Sequence, residues 1–171
     1  MEIVLPTCLV RSWTWKDCDA LVHHANNRNV WINLRDRFPH PYTRGDARRW
    51  LEIAIDLKPE TNFAIAVGDQ AVGAIGFSPQ ADVGYRSAEI GYWIGELFWG
   101  RGIASDALKA VTDHAFASFD LNRLYAHVFE WNVASARVLE KAGYELEGRL
   151  RKSVTKDGKT VDQFLYARTI D

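Results

Sequence analysis

Cysteine is scarce. The 171-residue chain has two, Cys8 and Cys18, too few for a disulfide framework or a metal-ligand cluster, and a reducing compartment is the simpler setting. Long apolar runs are missing as well. No stretch of about 18 such residues exists to cross a bilayer, and Glu2, Pro6 and Arg11 interrupt the start where a secretory signal would need an apolar core. Neither sign of charge dominates: 21 Lys and Arg against 22 Asp and Glu leave a net charge of -1, which gives no reason to expect nucleic acid or an anionic membrane as partner. Repeats, low-complexity tracts and linkers are absent. The expectation is a soluble cytoplasmic protein without metal, one domain spanning 1–171. Its 47% apolar residues are ordinary for a globular chain with a sizeable core.

Periodicity supplies the elements. Residues 3–11 read as a first strand. Thr14-Trp15-Lys16-Asp17 opens a helix with a capping-box pattern, striped by Cys18, Leu21, Val22 and Ala25 and ended by Asn26-Asn27. Residues 30–42 are irregular, because Pro39 and Pro41 forbid a regular helix. Thr43 starts a second helix striped by Ala47, Trp50, Leu51, Ala54 and Leu57 and stopped before Pro59. Residues 63–67 and 71–77 form a hairpin around Gly68-Asp69, and residues 80–86 a loop. A strand over 88–94 leads through a glycine turn into a helix carrying Ala104, Leu108, Val111 and Ala115. A strand follows over 123–129, then a helix capped by Asn132 and closed by Gly143, then a hairpin of strands over 144–154 and 160–167 around Asp157-Gly158. This order implies an α/β mixed sheet of about seven strands flanked by four helices.

The chemistry-bearing stretch is Tyr92-Trp93-Ile94-Gly95 through Trp99-Gly100-Arg101-Gly102-Ile103-Ala104-Ser105. A strand, a bare turn and a helix N-terminus make a cradle for phosphate, because the first N–H groups of a helix lack partners and its dipole favours negative charge. No Gly-Lys-Ser/Thr follows, so it is not a Walker loop, and Ser105 stands where a dinucleotide fingerprint needs glycine. The stretch resembles motif A of the GNAT acyl-CoA N-acyltransferases, Gln/Arg-x-x-Gly-x-Gly/Ala. Gly102-Ile103-Ala104 matches the second half, and Trp99 departs from the first. Phe98-Trp99-Gly100-Arg101-Gly102-Ile103-Ala104-Ser105 is similar to the Tyr-Trp-Gly-x-Gly-Ile/Tyr-Ala-Thr/Ser often carried here by the RimJ/RimL-like branch, which modifies protein N-termini. Asn132-Val133-Ala134-Ser135 through Lys141-Ala142-Gly143-Tyr144 resembles the family's second motif.

That resemblance implies a fold in which two parallel strands, here 88–94 and 123–129, splay to admit the pantetheine arm of acetyl-CoA, with Gly91 or Gly95 as a bulge starting the split. It implies cofactor contacts from Trp93, Ile94, Gly100, Arg101, Gly102, Ile103, Ala104, Ser105, Asn132 and Lys141. The Trp99 departure leaves the pyrophosphate to main-chain donors and Arg101. Acyl transfer to an amine needs a neutral amine, a stabilised carbonyl oxygen and a proton for the thiolate. Glu89 is the expected base, the Ile94 N–H the polarising donor and Ser135 the acid. Leu139 stands where many relatives carry an acidic Tyr, and Tyr144 is a weaker candidate. Neither cysteine suggests a covalent route. His23 and His24 read as exposed helix residues. His127 alternates with the apolar residues of its strand and could face the acceptor. Arg35, Asp36, Phe38 and Tyr42 are the other acceptor candidates. The expected activity is acetyl transfer to a protein N-terminal amine; the alternatives are a small amine acceptor or an idle acyl-CoA-binding module. A homodimer is possible, as dimers are common among relatives.

Overall fold

The computed structural model describes all residues, Met1–Asp171. One sheet of eight strands runs through it, in the order β1-β2-β3-β4-β5-β6-β8-β7. The first strand of the sequence reading is two, β1 (Glu2–Val4) and β2 (Leu9–Arg11), folded back on each other, because Pro6 cannot donate within a ladder. The central hairpin is β3 (Asn62–Val67) and β4 (Gln70–Pro79), turning at Gly68 with φ 58°. Then come β5 (Ser87–Ile94), β6 (Arg123–Phe129), and the long ribbon of β7 (Glu145–Lys156) and β8 (Lys159–Thr169). The ribbon turns at Asp157 and Gly158, both at positive φ, which is why Asp-Gly suits that corner.

Five α-helices cover the two faces: α1 (Cys18–Ala25), α2 (Arg28–Trp31), α3 (Arg44–Asp56), α4 (Ile103–Ser118) and α5 (Val133–Lys141). The fifth beyond the four expected is α2, a single turn capped by Asn27, whose side chain accepts from the N–H groups of Asn29 and Val30. The helix starts at Thr43 and Asn132 are capped as their sequences imply. Gly143, at φ 83°, ends α5, where the Tyr144 N–H returns to the Leu139 carbonyl.

Alternation along the strands divides the interior into two cores. Phe63, Ile65, Val72, Ile75, Phe77, Ile90 and Ile94 point to the face under α4 and α5 and meet Leu108, Val111 and Leu139 there. Ala64, Ala71 and Ala74 point to the other face, where their small side chains admit α1 and α3, packed through Leu21, Ala25, Ala47 and Leu51. Odd-numbered residues of β5 therefore face the α1–α3 side, and even-numbered ones the α4–α5 side.

Candidate active site

The site begins where β5 and β6 part. Their parallel pairing covers Ser87–Arg123, Ala88–Leu124 and Glu89–Tyr125 and no further, although β5 stays paired with β4 as far as Ile94. The split needs no bulge: the β4–β5 register is unbroken through Gly91. Gly91 has open space where a Cβ would stand, whereas a Cβ on Gly95 would lie 2.7 Å from His24 Nδ1. Gly95 thus serves close packing, and the expected bulge at Gly91 or Gly95 is replaced by a simple end of pairing after Glu89.

Hydrogen-bond phase shows what the gap offers. The Gly95 N–H donates to the Val72 carbonyl, and Gln80 N–H to Ser87 O. In an antiparallel ladder such groups alternate, so the odd-numbered residues of β5 turn their main-chain groups toward β4. Ile90, Tyr92 and Ile94 turn theirs toward β6, and beyond Glu89 toward the gap. Trp93, expected as a cofactor contact, has its main chain committed to β4, and its ring packs 5.5 Å from that of Phe38. Ile94 keeps its N–H directed into the gap, while its carbonyl accepts from the Trp99 indole at 2.7 Å. The residue that departs from the motif pattern thus ties the cradle's entry to the strand's end.

The cradle follows. Gly100 and Gly102 have φ 74° and 80°, a left-handed conformation that glycine adopts without strain. No side chain caps α4 at Gly102, and after Trp99 the next main-chain donor with a partner there is Asp106, bonded to Gly102 O. The N–H groups of residues 101 to 105 are bare. The Arg101 side chain folds back, donating to the Leu97 carbonyl at 2.9 Å with its guanidinium 4.9 Å from the centre of the Phe98 ring.

Ser135 lies in the first turn of α5, its N–H donating to the Asn132 side chain. Its Oγ is 2.9 Å from the Tyr92 hydroxyl, which also donates to the Ser135 carbonyl. Burial pushes the Tyr92 phenol well above its ordinary range, so it stays neutral and holds the serine through hydrogen bonds. Sequence reasoning missed this partner; the signal was a tyrosine at an even, otherwise apolar position of β5. Tyr144 is 2% exposed with its hydroxyl 2.7 Å from Thr112 Oγ1, which makes it a core residue. Lys141 is exposed at the far end of α5, about 13 Å along the axis from Asn132 at 1.5 Å per residue, and does not join this cluster.

On the opposite face, Glu89, Arg35 and His127 meet. Glu89 Oε1 accepts from the Arg35 guanidinium and from His127 Nδ1, the latter at 2.9 Å. Burial works to raise the Glu89 carboxyl, but the His127 hydrogen bond and the Arg35 charge together hold it below the usual carboxylate range. Beside them is a pocket of about 360 Å³ lined by Arg35, Asp36, His127, Lys156, Gln163 and Thr155, among others. Lys156 is 2% exposed, paired with Asp36 Oδ1 at 2.7 Å and 3.6 Å from the centre of the Trp31 ring. Nothing local in the sequence announces a pairing that spans 120 residues. Phe38 is half-buried on Trp93, but Tyr42, expected as an acceptor contact, is 5% exposed behind it and packs in the core under α1 and α3. His24, expected to be exposed, is buried against Gly95 and Phe98.

A sheet split along one strand pair, with bare amides beyond the split and polar clusters on both faces, offers room and main-chain donors for an extended, anionic ligand. The comparisons agree. The sequence pattern described as Acetyltransferase (GNAT) domain matches residues 8–145, and the chain belongs to the GNAT acetyltransferase family. It is 30% identical over 166 residues to the uncharacterized N-acetyltransferase p20 of Bacillus licheniformis, covering 92% of this chain and 90% of that one. It is 36% identical over 109 residues to the ribosomal-protein-serine acetyltransferase of Escherichia coli, covering 64% and 60%. The crystal structure of RimL, a ribosomal α-N-protein acetyltransferase in complex with coenzyme A, superimposes with a TM-score of 0.86 at 25% identity over 99% and 97% of the chains.

Proposed function

We propose that this acetyltransferase moves the acetyl group of acetyl-CoA onto the α-amine of a protein N-terminus, in the cytoplasm, by direct attack. The observation that carries the reading is the split after Glu89 together with the bare N–H groups of residues 101 to 105. Those groups, with Gly100 and Gly102 allowing close approach, would hold the pyrophosphate. The Tyr92 main chain would pair with the pantetheine amides. The thioester that acetyl-CoA brings supplies an activated acyl carbon. The Ile94 N–H would polarise its carbonyl, and Ser135, oriented by Tyr92, would protonate the departing thiolate.

The acceptor side supports a peptide. Lys156 neutralises Asp36 and Arg35 occupies Glu89, so the pocket lacks the acidic surplus a polyamine would seek. Thr155 and Gln163 line it instead, offering hydrogen bonds suited to the amides behind a single terminal amine. An N-terminal amine, with an ordinary pKa near 8, also needs less deprotonation than a lysine near 10.4. The test is acetylation of a peptide library beside polyamines, amino acids and aminoglycosides, read by mass spectrometry with thiol release in parallel. Mono-acetylation at peptide N-termini is the expected result; acetylation confined to small amines would overturn the acceptor, and coenzyme binding without thiol release on any amine would overturn the enzyme reading.

A further inference from the structure

We infer that His127, not Glu89, takes the proton from the acceptor amine, and that Glu89 is the positioning residue that makes this possible. The inference rests on the acetyl-transfer reading above and assigns the base within it. A carboxylate only accepts hydrogen bonds, so at Glu89 Oε1, shared with the Arg35 guanidinium, the proton in the 2.9 Å contact belongs to His127 Nδ1. The neutral ring is thereby fixed as the Nδ1–H tautomer, and Nε2 carries the lone pair. Nδ1 is occupied, Nε2 has no partner in the protein, and the ring lines the acceptor pocket. At Glu89 the Oε1 is engaged twice and only Oε2 is left without a partner in the protein, and its neighbours hold it more acidic than an ordinary carboxyl, which is already a weaker base than an imidazole.

The protons balance. An ammonium acceptor loses two on becoming an amide. The first passes to His127 Nε2, directly or through one water, and is released to solvent after turnover. The freed nitrogen lone pair forms the C–N bond to the acetyl carbon, the C–S bond breaks with its electron pair on sulfur, and the second N–H proton ends on that sulfur through Ser135. The positive charge that appears on the imidazole is faced by Glu89 from β5, by Arg35 and Asp36 from the segment after α2, by Tyr125 from its own strand and by Lys156 from β7. Glu89 is the carboxylate in direct contact with it.

The test uses the full chain and whichever amine of the panel releases thiol fastest, so that failure of the acceptor assignment leaves the base assignment measurable. His127→Gln is expected to lower kcat/KM by about 10²–10⁴-fold, the usual scale of general-base catalysis, with coenzyme A affinity within twofold. The acidic limb of its pH profile should move up to the ionisation of the amine itself. Glu89→Gln should cost less, and the double variant should be no slower than His127→Gln alone, since the two act as one unit. Nitrogen-15 shifts of His127 in the resting enzyme should report the Nδ1–H tautomer, and Glu89→Gln should erode it. A His127→Gln enzyme within threefold of wild type, a Glu89→Gln enzyme more impaired than it, or an Nε2–H tautomer in the resting protein would each overturn the assignment. An enzyme that releases no thiol with any amine would overturn the transfer reading itself.

Discussion

Two side chains show what single residues contribute. Tyr92 reaches from β5 to α5 and fixes Ser135 through a 2.9 Å contact. A net hydrogen bond is worth about 0.5–1.5 kcal/mol, which corresponds to roughly 2- to 10-fold in rate. Tyr92→Phe should lower kcat by that factor in a steady-state thiol-release assay, with coenzyme A affinity by calorimetry unchanged. Asp17 is a structural case, since Arg11 grips both of its oxygens at 2.9 and 2.7 Å and joins β2 to the start of α1. Burial works to raise its carboxyl, but the Arg11 bonds and the Thr14 N–H hold it below the ordinary value. A folded-state pKa below the unfolded one means stability that is complete above the unfolded value, near 3.9, and lost as pH falls toward the folded value. Asp17→Asn, which strands a shielded guanidinium, should destabilise by about 3 kcal/mol near neutrality. In thermal melts the gap between it and wild type should stay constant above about pH 5 and narrow steadily below it.

Elements decide how the site is assembled, and the sequence reveals them unevenly. The spans of β6 and α5 and both hairpin corners, at Gly68-Asp69 and Asp157-Gly158, were legible, because caps, alternation and Gly-Asp or Asp-Gly turns are local signals. So was the tight turn into α4, since Gly100 and Gly102 take the left-handed conformation that favours glycine. The cluster on the α1–α3 side was only half legible: Glu89, Arg35, Asp36 and His127 could each be named from their segments, but Lys156 could not. Only tertiary packing brings β5, β6, the segment after α2 and the end of β7 together there. Gly95 was visible but misread. It looks like a strand bulge in the sequence, yet it is small because α1 presses His24 onto it. Gly95→Ala would put a Cβ within 2.7 Å of that ring, and overpacking of this kind costs about 1–3 kcal/mol. A lower melting temperature together with weaker coenzyme A binding is expected, because the same residue leads into the cradle. His24→Ala should relieve both losses in the double variant, which calorimetry and melts would show.

At the scale of the molecule, the sheet works as a partition with a slot. One core fixes α4 and α5 on one face, where the amides and Ser135 are; the other fixes α1 and α3 on the opposite face, with the segment after α2 beside the Glu89, Arg35 and His127 cluster. The end of β5–β6 pairing after Glu89 opens a gap between the two sides. A transfer reaction suits this plan, because each substrate can approach from its own side and the bond exchange falls in the slot. No helix is long and apolar enough to cross a membrane, and none is needed for this plan. The most direct test is an amide-resolved NMR titration with coenzyme A. The account predicts that the largest shifts fall on residues 101 to 105 and on Tyr92 and Ile94. Shifts centred on another surface, with those amides unmoved, would contradict it.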